Sequence, residues 1–450
     1  MTTTEKVNAV TGGVTARELA KNHPVIDLLA DFSVYELLEN RPFSNLSEIL
    51  LGGKSPVRGL MRACGADELF VSREGSDYEK FSALCACAPR LVGHPLYRAI
   101  SALLDELFDC KLPLTPQYCD EIWHLTAKRL QERPLVPVDL LRSAMVDTLC
   151  FPEEPHASLA PYRAPCENSF FADIRPVFAP VMALSLKKGI KGRMQELSLA
   201  SGVSVTDYHS LCRALSACLD RFEALGCVTA YHTLPPERGF SVPNEYQAGE
   251  ILAHALVKDG KGISDDEANL FYAQMLRFLG KEYRRRGITL LLMLGGELQC
   301  GVEPALRLGG CPNILSIGRL LSYLDESGAL PRTLLLTQKP SDFDAVAALI
   351  AAFPAKSEGE PLLRLGGCPE ALLDAREAQR RLDDLSRVAP IGEYAMLHSG
   401  AWSPLVYFFA PRVGEAACDW LMREGGLDAD RFAPMAEDIL YKNSKKLLGR

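Results

Sequence analysis

Short apolar runs closed by polar residues alternate along most of this chain with longer segments of helical period. The first run enters at Val25, carries an acid at Asp27 and ends in a second acid at Asp31. Ser33-Val34-Tyr35-Glu36 follows as a capping box, with Ser at the N-cap and Glu three residues later. This pattern predicts a buried strand feeding a helix. Residues 33–140 then read as helical by their punctuation. Ser55-Pro56 opens a helix that closes at Gly65, Gly93-His94-Pro95 marks a turn into another, and Thr115-Pro116 caps the segment that carries Ile122, Trp123 and Leu130. A connection of that length is far beyond an ordinary strand-to-helix loop.

Beyond residue 140 the rhythm becomes strand–helix alternation. Strands are predicted at 145–150, 172–178, 227–232, 288–294, 332–337, 361–365 and 394–398, and helices at 206–225, 264–286, 341–353 and 369–388. Two further helices, at about 404–424 and 431–448, close the chain. With the first strand the count is eight. It predicts an α/β fold, a TIM-type (β/α)8 barrel, with an open doubly wound sheet as the alternative. The chain divides into an N-terminal arm and first strand (1–32), a helical insertion (33–140), and the rest of the barrel with the C-terminal helices (141–450).

Composition narrows the classes. A chain of 450 residues is within reach of one barrel with insertions, and 48% hydrophobic with 24% charged residues is ordinary for a globular protein. A net charge of −8 argues against nucleic acid as a partner, and no apolar stretch is long enough to span a bilayer. The start, Met1-Thr2-Thr3-Thr4-Glu5-Lys6, lacks the form of a signal peptide. Of 14 cysteines only Cys85 and Cys87 are closely spaced, a weak metal signal. Others, such as Cys212 and Cys218, sit in apolar helical patterns. Reduced thiols in the cytoplasm are expected.

One segment repeats letter for letter: Leu306-Arg307-Leu308-Gly309-Gly310-Cys311-Pro312 recurs at residues 363–369. Paired anion-binding loops would be one reading, since Gly-Gly frees backbone N–H groups. Two similar strand-end turns is the simpler one, because neither copy has phosphate-loop spacing.

Asp27-Leu28-Leu29-Ala30-Asp31, with Arg41-Pro42-Phe43-Ser44-Asn45-Leu46 and Leu51-Gly52-Gly53 downstream, resembles the start of a uronate (glucuronate) isomerase. That family belongs to the metal-dependent, amidohydrolase-like barrels, and its helical insertion lies at this same point. The resemblance runs on through Phe278-Leu279-Gly280, Glu282-Tyr283 and Arg285-Arg286-Gly287 to Ile439 and Asn443. It implies a sugar or sugar-acid ligand, with the site at the C-terminal ends of the strands.

Strand-end residues depart from the family pattern. The first strand of the family reads D-x-H-x-H with two metal-binding histidines, and those positions are Leu29 and Asp31 here. T-D-D-P has become Pro152-Glu153-Glu154-Pro155, and W-R-P-D has become Phe178-Ala179-Pro180-Val181. The histidine of the fifth strand is Met293. The last strand should end T-D-S-R-S, supplying a metal-binding Asp and a catalytic Arg; here His398-Ser399-Gly400-Ala401-Trp402 stands. The metal positions are thus Leu29, Asp31 and Ser399, and loss of the metal is predicted, leaving no cofactor.

The remaining polar residues offer one catalytic set, His232 as a base oriented by Asp31, with His398 near them. Their bland counterpart is solvated acids and locally bonded histidines. Tyr97, Arg98, Glu153, Glu154, Ser399 and Trp402 are the pocket candidates. Three functions follow: a degenerate isomerase homologue kept as a ligand-binding, regulatory or partner subunit; an active uronate isomerase with a modified site; or a metal-independent enzyme in the same barrel. Homo- or hetero-oligomers are compatible with all three.

Overall fold

The computed structural model describes residues 18, 20, 23–30, 32–52, 55, 57–71, 74–163, 173–234, 239–242, 244–295, 313–337, 342–353, 361–367, 374–396, 406–425 and 429–449. Seven strands, β1 (Val25–Asp27), β2 (Val146–Glu153), β3 (Asp173–Phe178), β4 (Thr229–Leu234), β5 (Thr289–Leu294), β6 (Thr333–Thr337) and β7 (Leu363–Leu365), form one all-parallel sheet in sequence order. Among the described residues, the expected eighth strand is represented by one parallel bridge, between Gly366 and Ala395. The sheet curls into a half-barrel whose inner face is apolar. Ile26, Leu28 and Leu29 share one buried cluster with Cys150, Val177, Leu291, Met293, Leu334, Leu336 and Ala395. Residues from both ends of the sheet therefore meet on the same inner surface.

Between β1 and β2 the described elements are helices: α1 (Val34–Glu39), α2 (Leu46–Leu51), α3 (Val57–Ala63), α4 (Glu68–Val71), α5 (Asp77–Cys87), α6 (Pro95–Phe108), α7 (Cys119–Glu132) and α8 (Pro137–Ser143). Sequence signals account for their starts. Ser33 with Glu36 and Ser76 with Glu79 both form capping boxes, and Pro95 takes the first helical position of α6.

The later helices are α9 (Ile190–Ser201), α10 (Tyr208–Glu223), α11 (Glu245–Lys258), α12 (Asp265–Arg286), α13 (Ile314–Glu326), α14 (Phe343–Ala351), α15 (Ala375–Ser386), α16 (Val406–Gly425), α17 (Ala429–Glu437) and α18 (Asn443–Leu447). The best specified is α12. Ser264 and Glu267 cap it, acids fill its first turn, Arg284, Arg285 and Arg286 its last, and Gly287 ends it at φ 70°. It packs closely: a Cβ on Gly280 would lie 2.0 Å from the Ala329 carbonyl oxygen. The C-terminal end of the chain closes one end of the half-barrel, with Leu447 and Leu448 inside the cluster and Thr289 Oγ1 donating to the Leu447 carbonyl at 2.7 Å.

The second copy of the repeat forms β7 and its exit. Gly366 N–H bonds to Leu335 O and Gly367 N–H to Ala395 O, both at 2.9 Å. A Cβ on Gly367 would lie 2.1 Å from Met396 O. These glycines serve close strand packing, and their N–H groups are spent on the sheet. The first copy, 306–312, lies outside the described residues.

Candidate functional site

The site is built from the end of β1 upward. Asp27 Oδ1 accepts the Leu29 N–H at 2.9 Å, a local turn that competes with the ladder, and the strand ends at Asp27, four residues before the run does. Tyr407 of α16 donates its hydroxyl to Asp27 Oδ2 at 2.5 Å. Asp27, almost wholly buried, thus ties the first strand to α16. Leu29 comes off this turn into the apolar cluster, 4% exposed, together with Met293 from β5. Two positions where the resemblance implied histidines therefore contribute alkyl and thioether groups to one buried surface. Ala179, in the place of the family arginine, is also buried, its N–H bonded to Glu153 O at 2.9 Å.

His232 is not at the mouth, where it was expected. Along β4, Ala230, His232 and Leu234 point one way and Tyr231 the other, and Tyr231 packs on the inner cluster. The imidazole therefore faces the outer helices. Its Nε2 lies 2.8 Å from Tyr283 Oη and its Nδ1 3.2 Å from Tyr272 Oη, both on α12. Burial pushes its pKa down to about 3, so the ring is neutral at ordinary pH. A base facing substrate would need a ring nitrogen open to the pocket, and both are engaged here. The alternation of Ala230 and Leu234 with polar residues was the signal that assigns the direction of this side chain.

Other candidates are also committed. Arg98 Nε donates to Asp374 Oδ2 at 2.6 Å, with Nη2 on the same oxygen, and Nη1 donates to Gly93 O at 2.8 Å. The guanidinium therefore docks the helical insertion onto the start of α15, where Asp374 is also the N-cap. Tyr97, beside it, is half-buried against the main core. Glu153 Oε1 accepts from Tyr162 Oη at 2.7 Å. Burial raises its pKa, and the Tyr162 hydroxyl opposes that. Asp31, His398, Ser399 and Trp402 lie outside the described residues, as does Ala401.

Glu154 is the most perturbed carboxyl group near these strand ends. Its Oε1 accepts the Met182 N–H at 2.6 Å and its Oε2 the Ala183 N–H at 3.2 Å, so it pins the turn that follows β3. Burial raises its pKa to about 7, against those backbone bonds and the nearby Arg193. A carboxyl whose folded pKa lies above its unfolded value gives stability that is complete below pH 4.5 and lost as pH rises through about 7. That window is worth at most about 3 kcal/mol. Glu154→Gln should remove the loss, so the variant gains on the wild type as pH climbs through the window. Urea melts across this range test it; parallel pH profiles for the two proteins would refute the assignment.

Of the three metal positions that the resemblance implied, Leu29 alone is among the described residues, and it does not fit a metal. Leu29 has no lone pair, and the Cys150 thiol inside the cluster is held protonated by burial. Among the described residues no group of three or more His, Cys, Asp or Glu side chains could hold an ion.

A parallel, apolar-lined half-barrel with a helical insertion after its first strand defines the class, an α/β protein built on a curled parallel sheet. Solved structures agree on the fold: a uronate isomerase from Thermotoga maritima at TM-score 0.82, with 22% identity and 98% of each chain covered, and a glucuronate isomerase from Caulobacter crescentus at 0.79, with 16% identity and 96% and 93% covered. A family model described as glucuronate isomerase matches residues 14–447, and the chain belongs to that family. Among curated relatives, the uronate isomerase of Halalkalibacterium halodurans is 26% identical over 94% of this chain and 92% of its own. That of Histophilus somni is 24% identical over 95% of both.

Proposed function

We propose that this family member keeps the uronate isomerase scaffold, closed as a (β/α)8 barrel, without the family's metal-dependent isomerisation. In this reading it is a cytoplasmic ligand-binding, regulatory or partner subunit for a sugar or sugar acid. The observation that carries it is Leu29, buried with Met293 in the apolar cluster where the resemblance implied a metal-binding histidine and the histidine of the fifth strand. Aldose–ketose isomerisation moves a proton between adjacent carbons while a carbonyl is polarised, so it needs a base and an electrophile. His232 is spent as a neutral core residue, and Ala179 offers no guanidinium for a uronate carboxylate. Closure is supported by the Asp27–Tyr407 bond and by the shared cluster of Ile26 and Ala395.

The second reading, an active uronate isomerase with a modified site, rests on the end-to-end match to relatives that carry that name. The deciding experiment assays D-glucuronate and D-galacturonate isomerisation beside a relative with both first-strand histidines. Thermal shifts across sugars and sugar acids, run in parallel, separate ligand binding from a purely structural role.

A further inference from the structure

We propose that Cys64 and Cys87 are a thiol pair that closes into a disulfide in response to hydrogen peroxide, linking two helices of the insertion. Cys64 follows the end of α3, and Cys87 is the last residue of α5. Each sulfur points at the other helix: Cys64 Sγ lies 3.9 Å from Cys87 O, and Cys87 Sγ lies 3.9 Å from Met61 O. The Cys64 thiol is near enough that, after burial, it is the next cause raising the Cys87 pKa. A cation beside the pair offsets part of that rise, since Arg90 Nη1 donates to Cys64 O at 2.6 Å.

Exposure assigns the roles. Among the described free cysteines Cys64 alone is half-buried, and the others are buried. Peroxide reaches Cys64 first. Its thiolate attacks one peroxide oxygen, the O–O bond breaks, and hydroxide leaves and takes a proton as water, giving a sulfenic acid. Cys87, as thiolate, then attacks the Cys64 sulfur. The S–S bond forms, the S–O bond breaks, and a second water departs. Two thiols are oxidised and one peroxide is reduced to two waters. The same helix supplies an internal control. Cys85 lies beside Cys119, yet both are buried, and burial first and Cys119 next raise the Cys85 pKa well above its ordinary value.

The test treats the full chain with hydrogen peroxide and maps peptides without reduction. The expected result is loss of the free Cys64 and Cys87 thiols together and a linked peptide two hydrogens lighter, while Cys85 and Cys119 stay reduced. Dithiothreitol should reverse it. Cys87→Ser should leave Cys64 as a sulfenic acid captured by a dimedone probe. The proposal is overturned if Cys85–Cys119 closes first, or if wild-type Cys64 stays unmodified. It also fails if Cys64 is oxidised without linking to Cys87.

Discussion

Turnover of D-glucuronate and D-galacturonate is expected to lie at least about 10³-fold below that of a relative with both first-strand histidines. The magnitude follows from losing two contributions at once. A Lewis acid on the sugar oxygens is worth several kcal/mol of transition-state charge, and a bidentate guanidinium orients the carboxylate. At the described positions for these roles stand Leu29 and Ala179, both buried and neither charged. Because both contributions act on one transition state, restoring either alone should recover little. Initial rates on the two uronates measure it. A kcat/KM within about tenfold of the intact relative would contradict the reading.

The second large effect concerns stability. Replacing His232 with Ala is expected to cost about 4 kcal/mol at neutral pH, combining a lost buried ring with the loss of its bonds to Tyr283 and Tyr272, of which Tyr272 keeps its bond to Thr233 O. A histidine at an open mouth, acting as a base, would instead be near neutral for stability, within about 0.5 kcal/mol. The pH dependence carries its own sign. Burial lowers the folded pKa from 6.5 to about 3, so the unfolded chain takes up the proton first as pH falls. The stability from a neutral His232 is complete above pH 6.5 and is lost between there and about 3, near 1.4 kcal/mol per unit. Between pH 4.5 and 6.5 the opposite dependence of Glu154 offsets it. Denaturant melts of the wild type and His232→Ala, at neutral and at acid pH, decide it; a variant as stable as the wild type would return His232 to the candidate site.

How far the sequence carried these conclusions depends on the kind of signal each element had. Helices with caps were legible: α12 begins at Ser264 and ends at Gly287 because both residue types are demanded by helix termini. The strand pattern placed all seven described strands within a few residues, since each is a buried run between turn signals. The length of β1 was not legible. It stops at Asp27 because that side chain captures the Leu29 N–H, a choice between local turn and ladder that periodicity does not reveal. His232 was misplaced for a related reason: strand ends were assigned by position along the strand and not by which face each residue occupies. Its partners Tyr272 and Tyr283 are 11 residues apart, three turns along one face of α12, a pattern visible only once β4 is known to pack there. Arg98 was read as a pocket residue because its partner Asp374 is 276 positions away. The loss of imidazoles at Leu29 and Met293 needed no geometry, and their joint burial adds what the sequence lacked.

Metal content of the untreated protein bears most directly on the central claim, that Leu29 and its neighbours have replaced a metal centre with an apolar surface. The account predicts less than about 0.1 equivalent of zinc, manganese or iron after purification without chelator. Leu29→His, Asp31→His and Ser399→Asp combined should regain zinc without regaining turnover while Ala179 and Ala401 remain. About one equivalent of metal in the unaltered chain, lost on Asp31→Ala or His398→Ala, would show that the centre had been rebuilt from other ligands, and would contradict the account.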